Sequence, residues 1–279
     1  MAVASGPNPT EDAERAERRL PWADEGQDGW LADDLLVVNG TEFIVTPDPD
    51  RYLDDQSTER RFLVAKTTAM VRRLELTIVE LAPARIVELG IFKGGSAALL
   101  ASLAAPAKLT AIDLVADPVP ALERFIALNG LTDVVAAHYG IDQGDAAVLS
   151  ALVDADHGAA PLDLVMDDAS HLYRETRTSF EVLFPRLRPG GVYIIEDWGW
   201  AHFPEPLWQE GGGWFHDRPA LTNLVVELLM IAGTGEELIS KMTVLRDSLV
   251  VVRGPLAVEG SIRLADHYRN RGLPFRPLL

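Results

Sequence analysis

The sequence predicts a doubly wound α/β fold: a mostly parallel, seven-stranded sheet with helices on both faces and a helical and hairpin extension at the N-terminus. Three observations carry this prediction. Between residues 84 and 197, short runs rich in Val, Ile and Leu alternate with helical segments, the rhythm of strand–helix–strand units on a parallel sheet. The later segment KMTVLRDSLVVVRG reads as an antiparallel hairpin at a sheet edge. A chain of 279 residues, 48% of them apolar, can bury one sizeable core.

Each element has its own signal. Residues 1–34 hold nine acidic against three basic side chains, with Pro and Gly scattered through, and read as a loosely docked extension. LLVVNGTEFIV places two apolar runs around Asn39-Gly40, a strong hairpin signal. From about Tyr52 to Leu81, Phe62, Leu63, Met70, Val71, Leu74, Ile78 and Leu81 recur at helical spacing, so one long helix or two is expected there. ARIVELG is the first strand of the main sheet, followed by a helix from Ser96. KLTAIDL is the second strand, and the helix after it stops at Asn129-Gly130. VVAAHYG, LDLVMDD and GVYIIED are the third to fifth strands, separated by helices over about 145–153 and around Phe180, Leu183, Phe184 and Leu187. A helix over about 219–232 precedes the closing hairpin. The organisation expected is an N-terminal extension and cap over 1–80 and one α/β domain over 81–279.

Composition excludes several classes. With 25 basic and 42 acidic residues the net charge is −17, which repels nucleic acid and anionic membranes. Without cysteine there are no disulfides, thiolate metal sites or cysteine nucleophile. No stretch is apolar for long enough to span a bilayer, and the N-terminus lacks a secretory signal, so a cytoplasmic enzyme is expected.

Doubly wound sheets bind ligands beyond the carboxyl ends of their strands, where strand order reverses. The first strand ends Glu88-Leu-Gly90-Ile-Phe-Lys-Gly94-Gly95-Ser96, and the second ends in Asp113, placed to accept hydrogen bonds from ribose hydroxyls. A dinucleotide turn normally reads G-x-G-x-x-G. Here a carboxylate at Glu88 would repel a pyrophosphate but suits the ammonium of an amino acid, which favours S-adenosylmethionine (SAM). Asp142 and Gln143, in YGIDQGD after the third strand, are candidates for the adenine amino group; the alternative is capping of the next helix.

Asp167-Asp168-Ala-Ser170-His171 ends the fourth strand and Glu196-Asp197 the fifth. Carboxylates on neighbouring strands about 4.8 Å apart can converge, and they repel unless a cation neutralises them. Oxygen ligands suit a hard ion such as Mg²⁺. His171, with an ordinary pKa near 6.5, suits a general base acting on a hydroxyl. Four of the six tryptophans fall in 198–214, a segment suited to covering a ring-bearing acceptor or to a subunit interface; His202 and His216 within it are given no role.

ELGIFKGGS, DDASH and RTSFEVLFPRLRPGGVYIIEDW, over about residues 84–200, together resemble the metal-dependent sugar O-methyltransferases of antibiotic biosynthesis, of the mycinamicin and calicheamicin type, with cephalosporin hydroxylase-like proteins as wider relatives. The resemblance implies a Rossmann-like class I SAM methyltransferase domain over 81–279. It implies Mg²⁺ or another divalent cation held by Asp168, Glu196 and Asp197, His171 as base, and Asp167 on the SAM side of its strand end. It also implies a homo-oligomer. Ala169 stands where the pattern has Gly, and YGIDQGD is longer than the usual G-D-Q-S-D. The function expected is O-methylation of a vicinal-diol acceptor, a deoxysugar of a natural product, with a phenol or catechol as the alternative acceptor. An oxidoreductase is a further alternative, but an iron oxygenase needs two histidines beside one carboxylate, and only His171 accompanies this cluster.

Overall fold

The computed structural model describes residues 28–54, 56–210 and 217–277. The acidic stretch 1–27, and Trp214 and His216 of the tryptophan-rich segment, lie outside the described residues. Two sheets are present. The smaller has the order β1-β2-β3-β4, from β1 (Gly29–Ala32), β2 (Leu35–Val38), β3 (Thr41–Val45) and β4 (Arg61–Val64). Asn39 and Gly40 turn β2 into β3 with φ of 49° and 71°, the two positive angles that a tight two-residue hairpin needs.

Strand β4 departs from the expected helix. Phe62 and Leu63 pair in parallel with Phe43 and Ile44, and Phe62, Leu63 and Val64 are all buried. Three consecutive buried side chains cannot share one face of a helix, and so short an apolar run is ambiguous by periodicity alone. Helix α1 (Thr68–Leu81) starts only after Thr67, whose hydroxyl accepts from the Met70 N–H at 3.2 Å.

The larger sheet comprises β5 (Arg85–Leu89), β6 (Lys108–Asp113), β7 (Val135–Tyr139), β8 (Leu162–Asp167), β9 (Leu187–Glu196), β10 (Ile239–Val244) and β11 (Ser248–Arg253). Its order is β10-β11-β9-β8-β5-β6-β7. The five strands from β9 to β7 run parallel, and the β10–β11 hairpin adds antiparallel to β9, as predicted. The crossover helices are α2 (Gly95–Ala104), α3 (Pro120–Leu128), α4 (Ala146–His157) and α5 (Tyr173–Leu183), and α6 (Thr222–Ala232) precedes the hairpin. Strand order reverses between β5 and β8, which sets the ligand crevice at their carboxyl ends.

Side-chain alternation assigns the two faces. Ile86, Leu164, Met166 and Ile194 pack with α1, α2, α3 and the smaller sheet. Val87, Leu89, Val165, Tyr193 and Ile195 pack with α4, α5 and α6. Leu36, Phe43, Phe62 and Val64 of the smaller sheet belong to the same apolar cluster as Ile86, Leu99 and Phe125. The N-terminal strands therefore roof one face of the main sheet, and this brings the β4–α1 connection to the crevice. No described helix is long and apolar enough to cross a membrane.

Candidate functional site

The turn after β5 is held from three sides. The Asp113 carboxylate, at the end of β6, accepts from the Ile91 and Phe92 N–H groups at 2.8 and 2.9 Å and from Val115 N–H at 2.8 Å. Gly90 has φ 98°, and a Cβ there would lie 2.2 Å from the Asp168 carbonyl oxygen, so only glycine lets the β5 and β8 loops meet. Gly94 caps α2, and Ser96 stands in its first turn. Asp113 thus shapes the turn with about three of the roughly four acceptor positions of a carboxylate.

Glu88 lies two residues before Gly90, wholly buried, and neither carboxylate oxygen has a hydrogen-bond partner among the described residues. Burial pushes its pKa up to about 8, against the pull of Ser96 and Lys66. A buried, unpartnered carboxylate at this place fits a ligand ammonium, because an unsatisfied charge in the interior is costly until paired.

The acid cluster forms where β8 and β9 end. Asp168 follows β8, its N–H donating to the Leu89 carbonyl at 2.9 Å. Glu196 closes β9 and Asp197 follows it, its N–H donating to the Asp247 carbonyl at 2.9 Å. Asp168, His171 and Asp197 each offer a ligand atom within 4.8 Å of the others. Glu196 joins through Lys66, a residue that the sequence reading placed inside a helix and gave no role. The Lys66 ammonium donates to Asp168 at 2.6 Å and also to Glu196, and the side chain is only 3% exposed. Burial works against the charge on Lys66, but the two carboxylates outweigh it and raise its pKa. Asp168 is held low by Lys66 despite its own burial. Burial pushes Glu196 and Asp197 upward, with repulsion from Asp168 adding to it. Three carboxylates share one ammonium, so the cluster is short of positive charge. Its oxygen-rich donor set fits a hard divalent cation.

His171 and Asp197 both have φ of 55°, a left-handed conformation that costs non-glycine residues of the order of 1 kcal/mol. The His171 ring packs 4.1 Å from the Trp200 ring, and Trp200 lies 5.1 Å from Trp208. Desolvation lowers the His171 pKa, with Asp168 pulling the other way. The net effect favours the neutral imidazole at neutral pH, the form able to accept a proton.

Two candidates turn away from the crevice. Asp167 is in register with Leu89 and shares its face of the sheet, opposite Glu88. Its carboxylate accepts from Ser179 at 2.7 Å, Tyr193 at 2.9 Å and Gln143 at 3.2 Å. Burial still pushes its pKa to about 6. Strand alternation puts Asp167 there: consecutive residues point to opposite faces. The Gln143 amide is taken up inside the same cluster, donating to Asp167 and Ser179 and accepting from Ser170 N–H at 3.1 Å. Asp142 accepts from Gly144 N–H at 2.7 Å, while Asp145 rather than Asp142 caps α4. A cavity of about 590 Å³ lies between α5, α6 and residues 268–275. It is on the face away from Glu88, and Glu227 within it is satisfied by Tyr173 and Arg177; the candidate chemistry is elsewhere.

Comparison with known proteins agrees with this fold. Residues 87–198 match a family described as a methyltransferase domain. Over 63 residues the chain is 46% identical to 8-demethyl-8-alpha-L-rhamnosyl tetracenomycin-C 2'-O-methyltransferase of Streptomyces olivaceus, covering 23% of this chain and 16% of that protein. Over the same number of residues it is 49% identical to demethylmacrocin O-methyltransferase of Streptomyces fradiae, covering 23% and 15%. The chain therefore matches about a sixth of the length of these curated relatives. A solved structure of MycE methyltransferase from the mycinamycin biosynthetic pathway, in complex with Mg, SAH and mycinamycin VI, superposes with a TM-score of 0.50 at 25% identity, covering 69% of this chain and 50% of that one. The larger sheet with its helices is the Rossmann-like fold of class I SAM methyltransferases.

Proposed function

We propose that this chain, which carries a methyltransferase domain over residues 87–198, is a SAM-dependent O-methyltransferase that uses Mg²⁺ or a similar divalent cation and methylates a hydroxyl of a vicinal diol on a glycoside. The observation that carries this reading is the juxtaposition of the unpartnered Glu88 carboxylate with the Asp168–His171–Asp197 group across the Gly90 turn. Glu88 receives the ammonium of the methionine moiety, Ser96 lies beside it, and Asp113 has acceptor capacity left for a ribose hydroxyl. Asp168, Glu196 and Asp197 hold the cation, which supplies Lewis-acid polarisation of the acceptor hydroxyl when bound. His171 takes the hydroxyl proton on a ring nitrogen. SAM held there would supply the methyl group to the deprotonated acceptor oxygen, the electron pair of the broken carbon–sulfur bond staying on sulfur. Trp200 and Trp208 offer flat faces beside His171, suited to stacking on a sugar ring. The Asp142 loop borders the adenine end. A glycoside acceptor is favoured by the names of the relatives, one of which specifies a rhamnosyl group. The protein is taken to be a homo-oligomer, which sedimentation would measure.

The test is calorimetric titration of SAM and Mg²⁺ into the purified chain, followed by assay against rhamnosides and catechols. SAM binding, Mg²⁺ binding lost in Asp168→Ala and methyl transfer to a rhamnoside are the expected results. Absence of SAM binding overturns the reading, and transfer to catechols alone overturns the glycoside assignment.

A further inference from the structure

Lys66 occupies a position that the proposed chemistry does not use. It is tethered at the β4–α1 connection, its own N–H donating to the Val64 carbonyl at 2.8 Å and the next residue, Thr67, capping α1. From there it spans two sites. On one side its ammonium bridges Asp168 and Glu196, two of the carboxylates assigned to the cation. On the other it lines a cleft with Gly90, Gly95, Ser96 and Asp168, beside the buried Glu88. The volume of that cleft is about 40 Å³, room for about one water molecule.

A zwitterionic amino-acid group asks for an anion opposite its ammonium and a cation opposite its carboxylate. Glu88 is the anion. Two cations line the cleft, and Lys93 is engaged with the Leu53 carbonyl at 3.2 Å and with the Phe92 ring. Lys66 remains. A divalent ion at Asp168 and Glu196 would share both carboxylates with the Lys66 ammonium, which holds one oxygen of each, and like charges at that range repel.

We infer that Lys66 is an internal cation that couples the two sites: it stands in for metal charge between Asp168 and Glu196, and it leaves them to pair with the carboxylate of the methionine moiety, releasing both for the divalent ion. This rests on the SAM and metal reading above. Cofactor binding then tightens metal binding, and by thermodynamic reciprocity metal binding tightens cofactor binding to the same extent. Lys66 is a positioning residue in this scheme; it makes no bond to the reacting atoms.

The experiment is titration of Mn²⁺ into the full chain, followed by electron paramagnetic resonance, with and without saturating S-adenosylhomocysteine. In the wild type the nucleoside should tighten Mn²⁺ about tenfold, within the ordinary range of coupling. Lys66→Met should bind Mn²⁺ about tenfold more tightly than the wild type when no nucleoside is present, and the nucleoside should then change that affinity by less than about twofold. Nucleoside and Mn²⁺ binding independently to the wild type overturns the inference while leaving the proposed function standing, and this arm needs no variant. Wild-type coupling retained in Lys66→Met also overturns it. Failure of the wild type to bind the nucleoside at all overturns the proposed function and the inference together.

Discussion

Glu88 is fully buried with both oxygens unpartnered, and burial raises its pKa to about 8. A carboxyl whose folded pKa lies above its unfolded one stabilises the fold below the unfolded value and loses that contribution as pH rises through the folded value. Between about pH 4.5 and 8 the free protein therefore loses stability at this residue, of the order of a few kcal/mol. Glu88→Gln should melt several degrees higher than the wild type at pH 8 and about the same at pH 4.5, while binding S-adenosylhomocysteine at least about tenfold more weakly. Differential scanning calorimetry and a binding isotherm check the two halves. At His171 the left-handed backbone limits the useful replacements, and asparagine tolerates that conformation. His171→Asn should lower kcat for methyl transfer by about 10²- to 10⁴-fold, the usual worth of a general base, with nucleoside affinity unchanged. A proportional loss of nucleoside binding would instead assign His171 to the cofactor.

At the scale of elements, β8, β9, α5 and the loop before α4 are clamped together by Asp167, Ser179, Tyr193 and Gln143. Removing one donor leaves a buried carboxylate less satisfied, which costs about 1–3 kcal/mol. The cost is greatest where Asp167 is ionised, above its raised pKa of about 6. Tyr193→Phe should therefore destabilise the protein more at pH 8 than at pH 5.5, by urea unfolding at each pH. Equal losses at both would mean that packing of the ring, not the hydrogen bond, is what matters. Strand β4 works at the same scale. A Cβ on Gly95 would lie 1.9 Å from the Leu63 carbonyl oxygen, so β4 sits directly against the start of α2 and delivers Lys66 to the crevice.

The molecule as a whole carries a net charge of −17, and its acid cluster lies inside that field. Self-repulsion on this scale is relieved by screening, with a Debye length of about 30 Å at 0.01 M salt and about 8 Å at 0.15 M. The melting temperature should rise as NaCl goes from 10 to 150 mM at pH 8; a fall would mean that screened surface ion pairs, such as Arg51–Asp34, outweigh the general repulsion. Because the smaller sheet and the main sheet share one apolar cluster, the N-terminal strands bear on the stability of the site and not only on its cover.

What the sequence determined by itself was the doubly wound sheet, the Asn39-Gly40 hairpin, and the gathering of Glu88, Asp113, Asp168, His171, Glu196 and Asp197 at the strand ends. These follow from local signals: apolar runs of strand length, turn residues, and polar residues where a strand stops. Only the tertiary structure decided the rest. Asp167 and Asp168 are neighbours in sequence, yet alternation sends the first into a buried hydrogen-bond cluster and leaves the second at the crevice. Gln143, in the loop after β7, is drawn inward by its amide's hydrogen bonds to Asp167 and Ser179. Lys66 had one faint mark, a lone charge inside FLVAKTTAM, and helical spacing absorbed it. Its role depends on contacts 102 and 130 residues away in the chain, and a pairing that distant is set by how two sheets pack, which no local pattern encodes.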